Sequence, residues 1–471
     1  MLRSALFILS GNTLASLLLL VRSVVIAHLI SVSDFGIAST FALALSIIEM
    51  VSALGVQQQI VQHADGDAPH FQNTLQGVQG IRAIINAALL FALAGPIAGF
   101  FNVPEAAWAY RVMALVPLLT GLTHLDPHRM NRRMQYRQTV AIAVLSALVS
   151  VVMIWPLSRF FTDYSLMLYV VVIQSLTGFV LSHLMAERSY RWAFDPAVIK
   201  ESLRFGWPVI LGAILLFLVF NGERLIIGRE LGMGPLAVFS MAFSLVLTPT
   251  LVLEGSTQSF FLPQLSAARD DRARFEHLAM ATLQCFLLLG AVTLLGVGLL
   301  GGPVVHLLLG PKYAAALPIL TWLAILQGIR VTKSGSSAIT LALGHSETGM
   351  VSSLMRVALM PLAWYVTTIG GNLLEVIWIG CLGEIVGFVA SLMLARHRLK
   401  LGLGPMLPTL GVMILMFGVG ALHAQGQSMP DLPHLSPWLT GAGLILLAGL
   451  AILSSRDLRA YIRNRRLMVE G

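Results

Sequence analysis

Charged side chains stand deep inside the apolar runs of this sequence, where they are energetically costly. Arg330 and Lys333 lie close to the middle of one run, and Glu254 lies deep in another. A charge at the centre of a bilayer costs on the order of 3 kcal/mol on insertion scales, so such residues usually line a cavity or an ion pathway. Grouped cations attract an anion, and a carboxyl group between apolar walls can bind and release a proton. These residues therefore predict an anion-binding cavity with a titratable acid.

Two further arginines occur in similar surroundings. RSVVIAHLISVSDFGIASTFAL begins at Arg22 and RLIIGRELGMGPLAVFSMAFSL begins at Arg224, and aligning them pairs arginine with arginine and phenylalanine with phenylalanine. The echo predicts a duplicated membrane unit with a cavity between its copies. Sliding the loop by one residue gives a second alignment, which pairs Gly36 with Ala237. Glu223 and Arg224 stand nearer the far membrane surface, so a cavity lining and a headgroup contact are both open for them.

Polar side chains extend these charged positions along single helix faces. Asn12 lies on one face of the first run with Arg22 at its edge, and Gln327 precedes Arg330 by about one turn. Glu49 shares a face of the second run with two serines. The predicted cavity residues are Arg22, Arg224, Arg330, Lys333, Asn12 and Gln327, and the predicted ion-coupling residues are Glu49 and Glu254.

Other conspicuous residues have structural explanations. Arg82 and Arg356 lie near the predicted cytoplasmic ends of their runs, where a long side chain reaches the headgroups. Cys285 and Cys381 fall inside apolar runs and are expected to pack there rather than to form a disulfide. The segment GVGLLG at 296–301 matches GxGxxG, but no strand precedes it, so its glycines indicate close helix packing.

The composition indicates which elements must carry these residues. Of the 471 residues, 57% are hydrophobic and 11% charged, and the mean hydropathy is +0.83. Apolar runs long enough to cross about 30 Å of hydrocarbon as helices recur along the chain, without the alternating pattern of an outer-membrane barrel. We predict an all-α polytopic membrane protein with about 14 spans. The first run lacks a cleavage site and is expected to be a retained span.

The echo between Arg22 and Arg224 also predicts how the spans are grouped. The two copies are separated by an even number of spans, so they should have the same orientation in the membrane. We expect two six-helix lobes related by a pseudo-twofold axis along the membrane normal, plus two C-terminal helices. The predicted divisions are an N-lobe at 1–190, a cytoplasmic connector at 191–204, a C-lobe at 205–400, and two helices with a basic cytoplasmic tail at 401–471.

Basic residues are concentrated in alternate connections of the chain. Connections rich in Lys and Arg face the cytoplasm, and the even number of spans places both termini on that side. This distribution also explains the formal net charge of +8 without a nucleic-acid partner. The basic groups that face the cytoplasm in this prediction include Arg129, Arg132, Arg133 and Arg137, then Arg188 and Arg191, and finally Arg456, Arg459, Arg463, Arg465 and Arg466.

No arrangement of residues in the sequence indicates catalysis. Histidines such as His63, His70, His124 and His128 lie in or beside connections, without the spacing of a zinc site. A Walker lysine is absent, and no nucleophile has an adjacent base. We therefore expect a transporter rather than an enzyme, with no metal and no cofactor.

Taken in order, the motifs resemble a known family. The first span with Arg22, the link SVSDFG, the segments RLIIGRELG and VFSMAFSL, and LLLGPKYAAALPIL resemble the polysaccharide transporter branch of the multidrug/oligosaccharidyl-lipid/polysaccharide exporter superfamily. Its members are the Wzx-type oligosaccharide flippases. The resemblance extends over essentially the whole chain.

The resemblance implies a specific transport function. A flippase of this kind moves an undecaprenyl-diphosphate-linked oligosaccharide from the inner to the outer leaflet of the bacterial cytoplasmic membrane by alternating access, coupled to an ion gradient. It would serve the biosynthesis of O-antigen, capsule or exopolysaccharide, beside a polysaccharide polymerase and a chain-length regulator. In this family a cationic cavity receives the diphosphate and the sugars, which here implies Arg22, Arg224, Arg330 and Lys333.

One alternative within the same superfamily stays open. An ion-coupled multidrug exporter would share the fold, but it should have an acidic cavity suited to cationic drugs. The cations Arg330 and Lys333, which lie in one span, favour the flippase.

Overall fold

The structure, a computed structural model, describes the backbone at residues 2–51, 54–345, 347–400, 402–428 and 436–470. Side chains are described in these ranges except at 2–6, 8, 9, 51, 207–209, 428 and 464–470. The side chains of Arg465 and Arg466, part of the predicted basic tail, therefore lie outside the described residues. The described backbone is almost entirely helical and contains no β-strand, which confirms the predicted all-α class.

The number of long apolar helices also agrees with the sequence. Thirteen helices in the described ranges are long and apolar enough to cross a membrane, and a bent pair raises the number to 14. Such helices satisfy their own backbone hydrogen bonds, which hydrocarbon cannot do. The prediction of a polytopic helical membrane protein is confirmed.

The chain folds as two compact units, Met1–Ala237 and Val238–Gly471. The first therefore extends beyond the predicted N-lobe at 1–190. The segment predicted as a connector, 191–204, is helical from Pro196 onwards. Asp195 caps this helix by accepting a hydrogen bond from the Ala197 amide, and proline follows at the first helical position, as expected for a helix start.

The first unit is built from ten α-helices within the described residues, and a π-helical turn at Ile227–Leu231 extends the last of them. They are α1 (Leu2–Leu29), α2 (Val32–Val51), α3 (Val56–Gln62), α4 (Pro69–Phe100), α5 (Ala107–Met113), α6 (Leu115–Gly121), α7 (Asp126–Arg132), α8 (Arg137–Leu157), α9 (Ser165–Leu184) and α10 (Pro196–Ile226).

Two apolar runs of this unit are broken rather than continuous. The second run ends as α2, and Gly55, with a φ of 63°, starts the short α3. A left-handed φ is accessible to glycine without steric cost, which explains the residue at this break. The other is Pro104–Gly121 with α7, and the chain bends by 44° between these two parts. Pro127 stands at the start of α7, where the residue before a proline disfavours continued helix.

The echoed segments meet inside the first unit. A Cβ added at Gly36 would lie 2.0 Å from the carbonyl oxygen of Met233, so only glycine allows this approach. Arg229, in the second segment, donates to the carbonyl of Phe100 at 2.7 Å. Both contacts hold the first half of the second segment against residues far earlier in the sequence.

The second unit contains nine α-helices among its described residues, the first of which starts at the end of the first unit. They are α11 (Met233–Ala267), α12 (Arg272–Leu308), α13 (Leu317–Ala342), α14 (Glu347–Val357), α15 (Met360–Thr368), α16 (Leu373–Leu399), α17 (Leu407–Ser428), α18 (Pro437–Ser454) and α19 (Arg456–Glu470). The segment Glu347–Thr368, which is long and apolar enough to be one span, is thus two helices, α14 and α15.

Helix α13 is the most enclosed span of the second unit, and glycines let its neighbours approach. A Cβ at Gly290 of α12 would lie 2.8 Å from the Gly328 carbonyl oxygen of α13. A Cβ at Gly335 would lie 3.0 Å from Phe286 of α12. Gly328 and Gly335 are seven residues apart and so share one face. This face fixes α13 against α12 and leaves its other faces to carry polar groups.

Candidate functional site

Three cations converge on one buried carboxylate in the second unit. The Nε of Arg330 donates to Oε1 of Glu384 at 2.7 Å, and the Nζ of Lys333 donates to Oε2 at 2.9 Å. The Nε of Arg356 forms an ion pair with Oε1 at 3.0 Å. Glu384 is fully buried, and the three cations are at most 7% exposed. We name these four residues the Glu384 cluster.

Three helices supply the cluster. Arg330 and Lys333 are three residues apart on α13 and so lie on one side of that helix. Arg356 lies in the last turn of α14, and Glu384 lies near the middle of α16. Helix α16 packs against both α13 and α14, so the carboxylate lies where cations from these two helices can reach it.

Two glycines beside Glu384 make this convergence possible. A Cβ at Gly387 would lie 2.8 Å from the Ser352 carbonyl oxygen of α14, and one at Gly383 would lie 3.2 Å from Cγ of Arg356. Small residues four apart are the usual means by which membrane helices approach each other closely. The glycines therefore bring α14 near enough for Arg356 to reach the carboxylate.

The cluster is unbalanced in charge. Three cations face one carboxylate, which leaves a formal excess of two positive charges within the four residues of the cluster. The neighbouring carboxyl of Glu254 also interacts electrostatically with Arg330 and Lys333. The guanidinium of Arg330 also lies 5.8 Å from the ring centroid of Phe243 on α11, an attractive but weak contact. A buried charge without full compensation costs several kcal/mol. The site is therefore chemically suited to receive an anion.

Two other predicted residues lie beside the cluster on α11 and α13. Glu254 of α11 accepts a hydrogen bond from the Ser334 hydroxyl at 2.5 Å. Gln327 is fully buried, and neither polar atom of its amide has a hydrogen-bond partner among the described residues. The structure thus brings together four of the eight predicted site residues, namely Arg330, Lys333, Gln327 and Glu254.

The predicted arginines of the first unit have partners of their own. Arg22 of α1 donates to the side-chain oxygen of Gln174 on α9. Arg224 of α10 donates to the side-chain oxygen of Asn221 at 3.4 Å, within its own helix. Both arginines are half-buried. Arg22 is therefore held by a neutral amide in this contact, whereas Arg224 also interacts electrostatically with the carboxylate of Glu223.

Asn12 and Glu49 lie at the surface of the first unit. Both side chains are exposed, and the carboxylate of Glu49 interacts electrostatically with Arg82 of α4. Glu49 thus has a cationic neighbour, whereas Glu254 accepts a hydrogen bond from Ser334.

Sequence reasoning was wrong about Arg356 and missed Glu384. Arg356 was expected to reach the headgroups, but it is 2% exposed and paired within the protein. A signal for Glu384 was present, because it stands between Gly383 and Gly387 in the otherwise apolar segment CLGEIVG. An acid in such a run needs a buried cation, and only the fold shows which cation is in reach.

A second polar network, which the sequence did not reveal, lies in the first unit. Arg129 is 2% exposed and contacts Asp126 at 2.5 Å, Glu187 at 3.0 Å and Asp67 at 3.2 Å. Arg133 pairs with Asp67 at 2.8 Å, and its hydrogen bond lowers the pKa of that carboxyl from the usual value. This network ties α7 to the loop before α4 and to the segment after α9.

Comparison with known proteins gives consistent matches. A family model described as polysaccharide biosynthesis protein matches residues 25–318. The succinoglycan biosynthesis transport protein ExoT of Rhizobium meliloti (strain 1021) is 24% identical over 372 residues, covering 78% of this chain and 74% of that protein. The teichuronic acid biosynthesis protein TuaB of Bacillus subtilis (strain 168) is 21% identical over 383 residues, covering 79% of each.

A solved structure shares the fold over almost the whole chain. The lipid II flippase MurJ, in an inward closed conformation, superposes with a TM-score of 0.71 at 13% sequence identity. The match covers 98% of this chain and 100% of that one. At this identity the likeness establishes the fold alone.

Proposed function

Since the chain belongs to the polysaccharide biosynthesis protein family, we propose that it is a flippase for an undecaprenyl-diphosphate-linked oligosaccharide. It would move this lipid from the inner to the outer leaflet of the bacterial cytoplasmic membrane by alternating access. The lipid tail stays in hydrocarbon, so the barrier that the protein lowers is desolvation of the charged diphosphate and its sugars. The observation that carries the proposal is the excess of buried cations in the Glu384 cluster, together with the family match.

Within this function Arg330 and Lys333 bind the diphosphate. Arginine offers a planar fork of donors and keeps its proton, which suits charge-assisted bonds to phosphate. Lys333 adds a second positive charge one turn away on the same helix. Gln327, about one turn before Arg330 on the same helix, supplies an amide for a sugar hydroxyl. Arg22, Arg224 and Asn12 are proposed as further polar contacts of the first unit.

Transport is proposed to draw on an ion gradient through Glu49 and Glu254. A carboxyl group changes its protonation when its burial or a neighbouring charge changes. Glu254 contacts Ser334, one residue after Lys333, so its protonation would be felt at the site that binds the diphosphate. Both termini are proposed to be cytoplasmic, with a polysaccharide polymerase and a chain-length regulator as partners in the membrane.

A multidrug exporter for cationic drugs is a poorer match to this site. Such a transporter needs an unpaired acid to attract its substrate, whereas Glu384 is surrounded by three cations. The polarity of the cluster is therefore opposite to what that function requires.

The proposal is tested in a strain that lacks the chromosomal gene. Arg330→Gln combined with Lys333→Gln should abolish polysaccharide export and cause the lipid-linked oligosaccharide to accumulate in the membrane. Glu384 keeps Arg356 in this variant, so the remaining buried charges balance and folding should be retained. The matched control is Arg269→Gln, a change at an arginine whose side chain is 64% exposed. Normal export by the double variant would refute the proposed site.

A further inference from the structure

The cations proposed to bind the anionic substrate are already paired with an anion of the protein, the carboxylate of Glu384. A carboxylate presents two oxygens, as one phosphate group does to a pair of donors. Arg330 takes one of these oxygens and Lys333 takes the other, at 2.7 and 2.9 Å. Glu384 therefore already takes one donor from each of the two cations that a phosphate would need.

Arg356 gives Glu384 a second attachment. It approaches the carboxylate from α14, whereas Arg330 and Lys333 approach from α13. Its ion pair with Oε1, at 3.0 Å, does not depend on either residue of α13. If Arg330 and Lys333 bound another anion in place of Glu384, Glu384 and Arg356 would remain as a neutral ion pair.

The formal charges of the four residues in the cluster balance when such an anion is bound. A diphosphate that links two organic groups carries two negative charges, and Arg330 with Lys333 carries two positive ones. The pair of Glu384 with Arg356 is neutral by itself. Without substrate, by contrast, the four residues keep an excess of two positive charges.

We propose that Glu384 is a resident anion that holds Arg330 and Lys333 until the diphosphate of the substrate displaces it. This inference rests on the proposed function. The exchange makes binding reversible, because Glu384 competes for the same donors when the substrate is to be released. When substrate is bound, the contacts of Glu384 on α16 with Arg330 and Lys333 on α13 are broken. Binding of substrate is thereby linked to a change in the contacts between these two helices.

The inference is tested with inorganic pyrophosphate and the full-length protein in detergent, by calorimetric titration. Glu384→Gln removes the competitor and should bind pyrophosphate at least about tenfold more tightly than the wild type, which corresponds to about 1.4 kcal/mol. It also adds net positive charge, so a second variant is needed. Arg356→Gln with Glu384→Gln keeps the same net charge as the wild type and removes the resident anion, and it should also bind at least about tenfold more tightly.

The double variant also separates competition from simple electrostatics. If net charge alone set the affinity, it would bind pyrophosphate as the wild type does, and the inference would be refuted. Because it buries fewer unmatched groups than Glu384→Gln, it carries the test if the single variant does not fold.

A measurement on the wild type does not depend on any variant. A carbodiimide that enters apolar sites should join the Lys333 amine to the Glu384 carboxyl as an amide, with the carbodiimide taking up the lost water as a urea. Saturating pyrophosphate should lower the yield of this cross-linked peptide in mass spectrometry, and sulfate at equal ionic strength should lower it less. An unchanged yield would contradict displacement.

Failure of this inference is distinguishable from failure of the proposed function. If pyrophosphate binding requires Arg330 and Lys333 but neither Glu384 variant binds more tightly, the flippase stands and the resident anion is refuted. If export survives neutralisation of Arg330 and Lys333, the site itself is refuted.

Discussion

Replacing Gly387 by alanine tests the geometry on which the Glu384 cluster depends. The added Cβ would lie 2.8 Å from the Ser352 carbonyl oxygen of α14, and ordinary contact begins at 3.4 Å. The backbones of α14 and α16 must therefore separate by about 0.6 Å, the difference of those two distances. Ser352 precedes Arg356 by one turn of the same helix, so the displacement also draws Arg356 away from Glu384.

The size of the effect follows from two opposing contributions. Overpacking a close-packed interface costs about 1–3 kcal/mol, whereas replacing glycine by alanine inside a helix gains about 0.8–1 kcal/mol. We expect a net loss of up to about 2 kcal/mol at Gly387. Such a loss lowers the unfolding temperature by a few degrees and reduces export.

The matched control is Gly383→Ala, one turn earlier on the same helix. Its Cβ would meet Cγ of Arg356 at 3.2 Å, a contact that a shift of a few tenths of an ångström relieves, and the backbone oxygen only at 3.4 Å. This variant should keep the wild-type unfolding temperature or exceed it. Both proteins would be compared in one detergent by a thiol-reactive or intrinsic fluorescence melt. If Gly387→Ala were as stable as Gly383→Ala, the close approach of α14 to α16 would be refuted.

Two further predictions concern the ends of the helices. Gln284 of α12 donates a hydrogen bond to Asp457 at 3.0 Å and accepts one from the Leu458 amide at 2.9 Å. Gln284→Leu should therefore release α19 and speed cleavage of the tail by trypsin. Cleavage at the wild-type rate would contradict this anchoring role. The hydrogen bond from Arg133 lowers the pKa of Asp67 in the folded state. Ionised Asp67 therefore stabilises the fold above its unfolded pKa of about 3.9. This stabilisation is lost as the pH falls through the pKa of Asp67 in the folded state. The unfolding temperature of the wild type should therefore exceed that of Asp67→Asn at pH 7 and converge with it in acid, whereas a constant difference would contradict the assignment.

The spans were predictable because each one depends on its own residues. A helix that crosses hydrocarbon needs about 20 apolar residues in sequence, and this information is local. The breaks were less evident, since Gly55 and Pro127 interrupt runs that remain apolar on both sides. Hydropathy measures composition and does not record a left-handed φ or a residue before proline.

The candidate site was predictable only in part. The cations of α13 stood out because their cost in lipid is a property of single residues. Their partner did not, because Glu384 is 54 residues from Arg330 and 51 from Lys333, and charge pairing between distant helices is decided by packing. Arg356 shows the same limit: its position near a span end suggested the headgroups, whereas glycines on α16 bring it to a buried acid.

The faces of α13 indicate which helices can move when the site is occupied. Its glycine face is fixed to α12, where a Cβ added at Gly290 would lie 2.8 Å from the Gly328 carbonyl oxygen, so Gly290 tolerates no larger residue without a shift. Its contacts to α16 include hydrogen bonds through Glu384 and the paired hydroxyls of Ser336 and Ser391, beside a ring contact between Trp322 and Trp378. Close-packed contacts do not yield gradually, whereas hydrogen bonds can be exchanged for others. We therefore expect α13 to stay with α12 and the rearrangement that follows substrate binding to occur in α14 and α16.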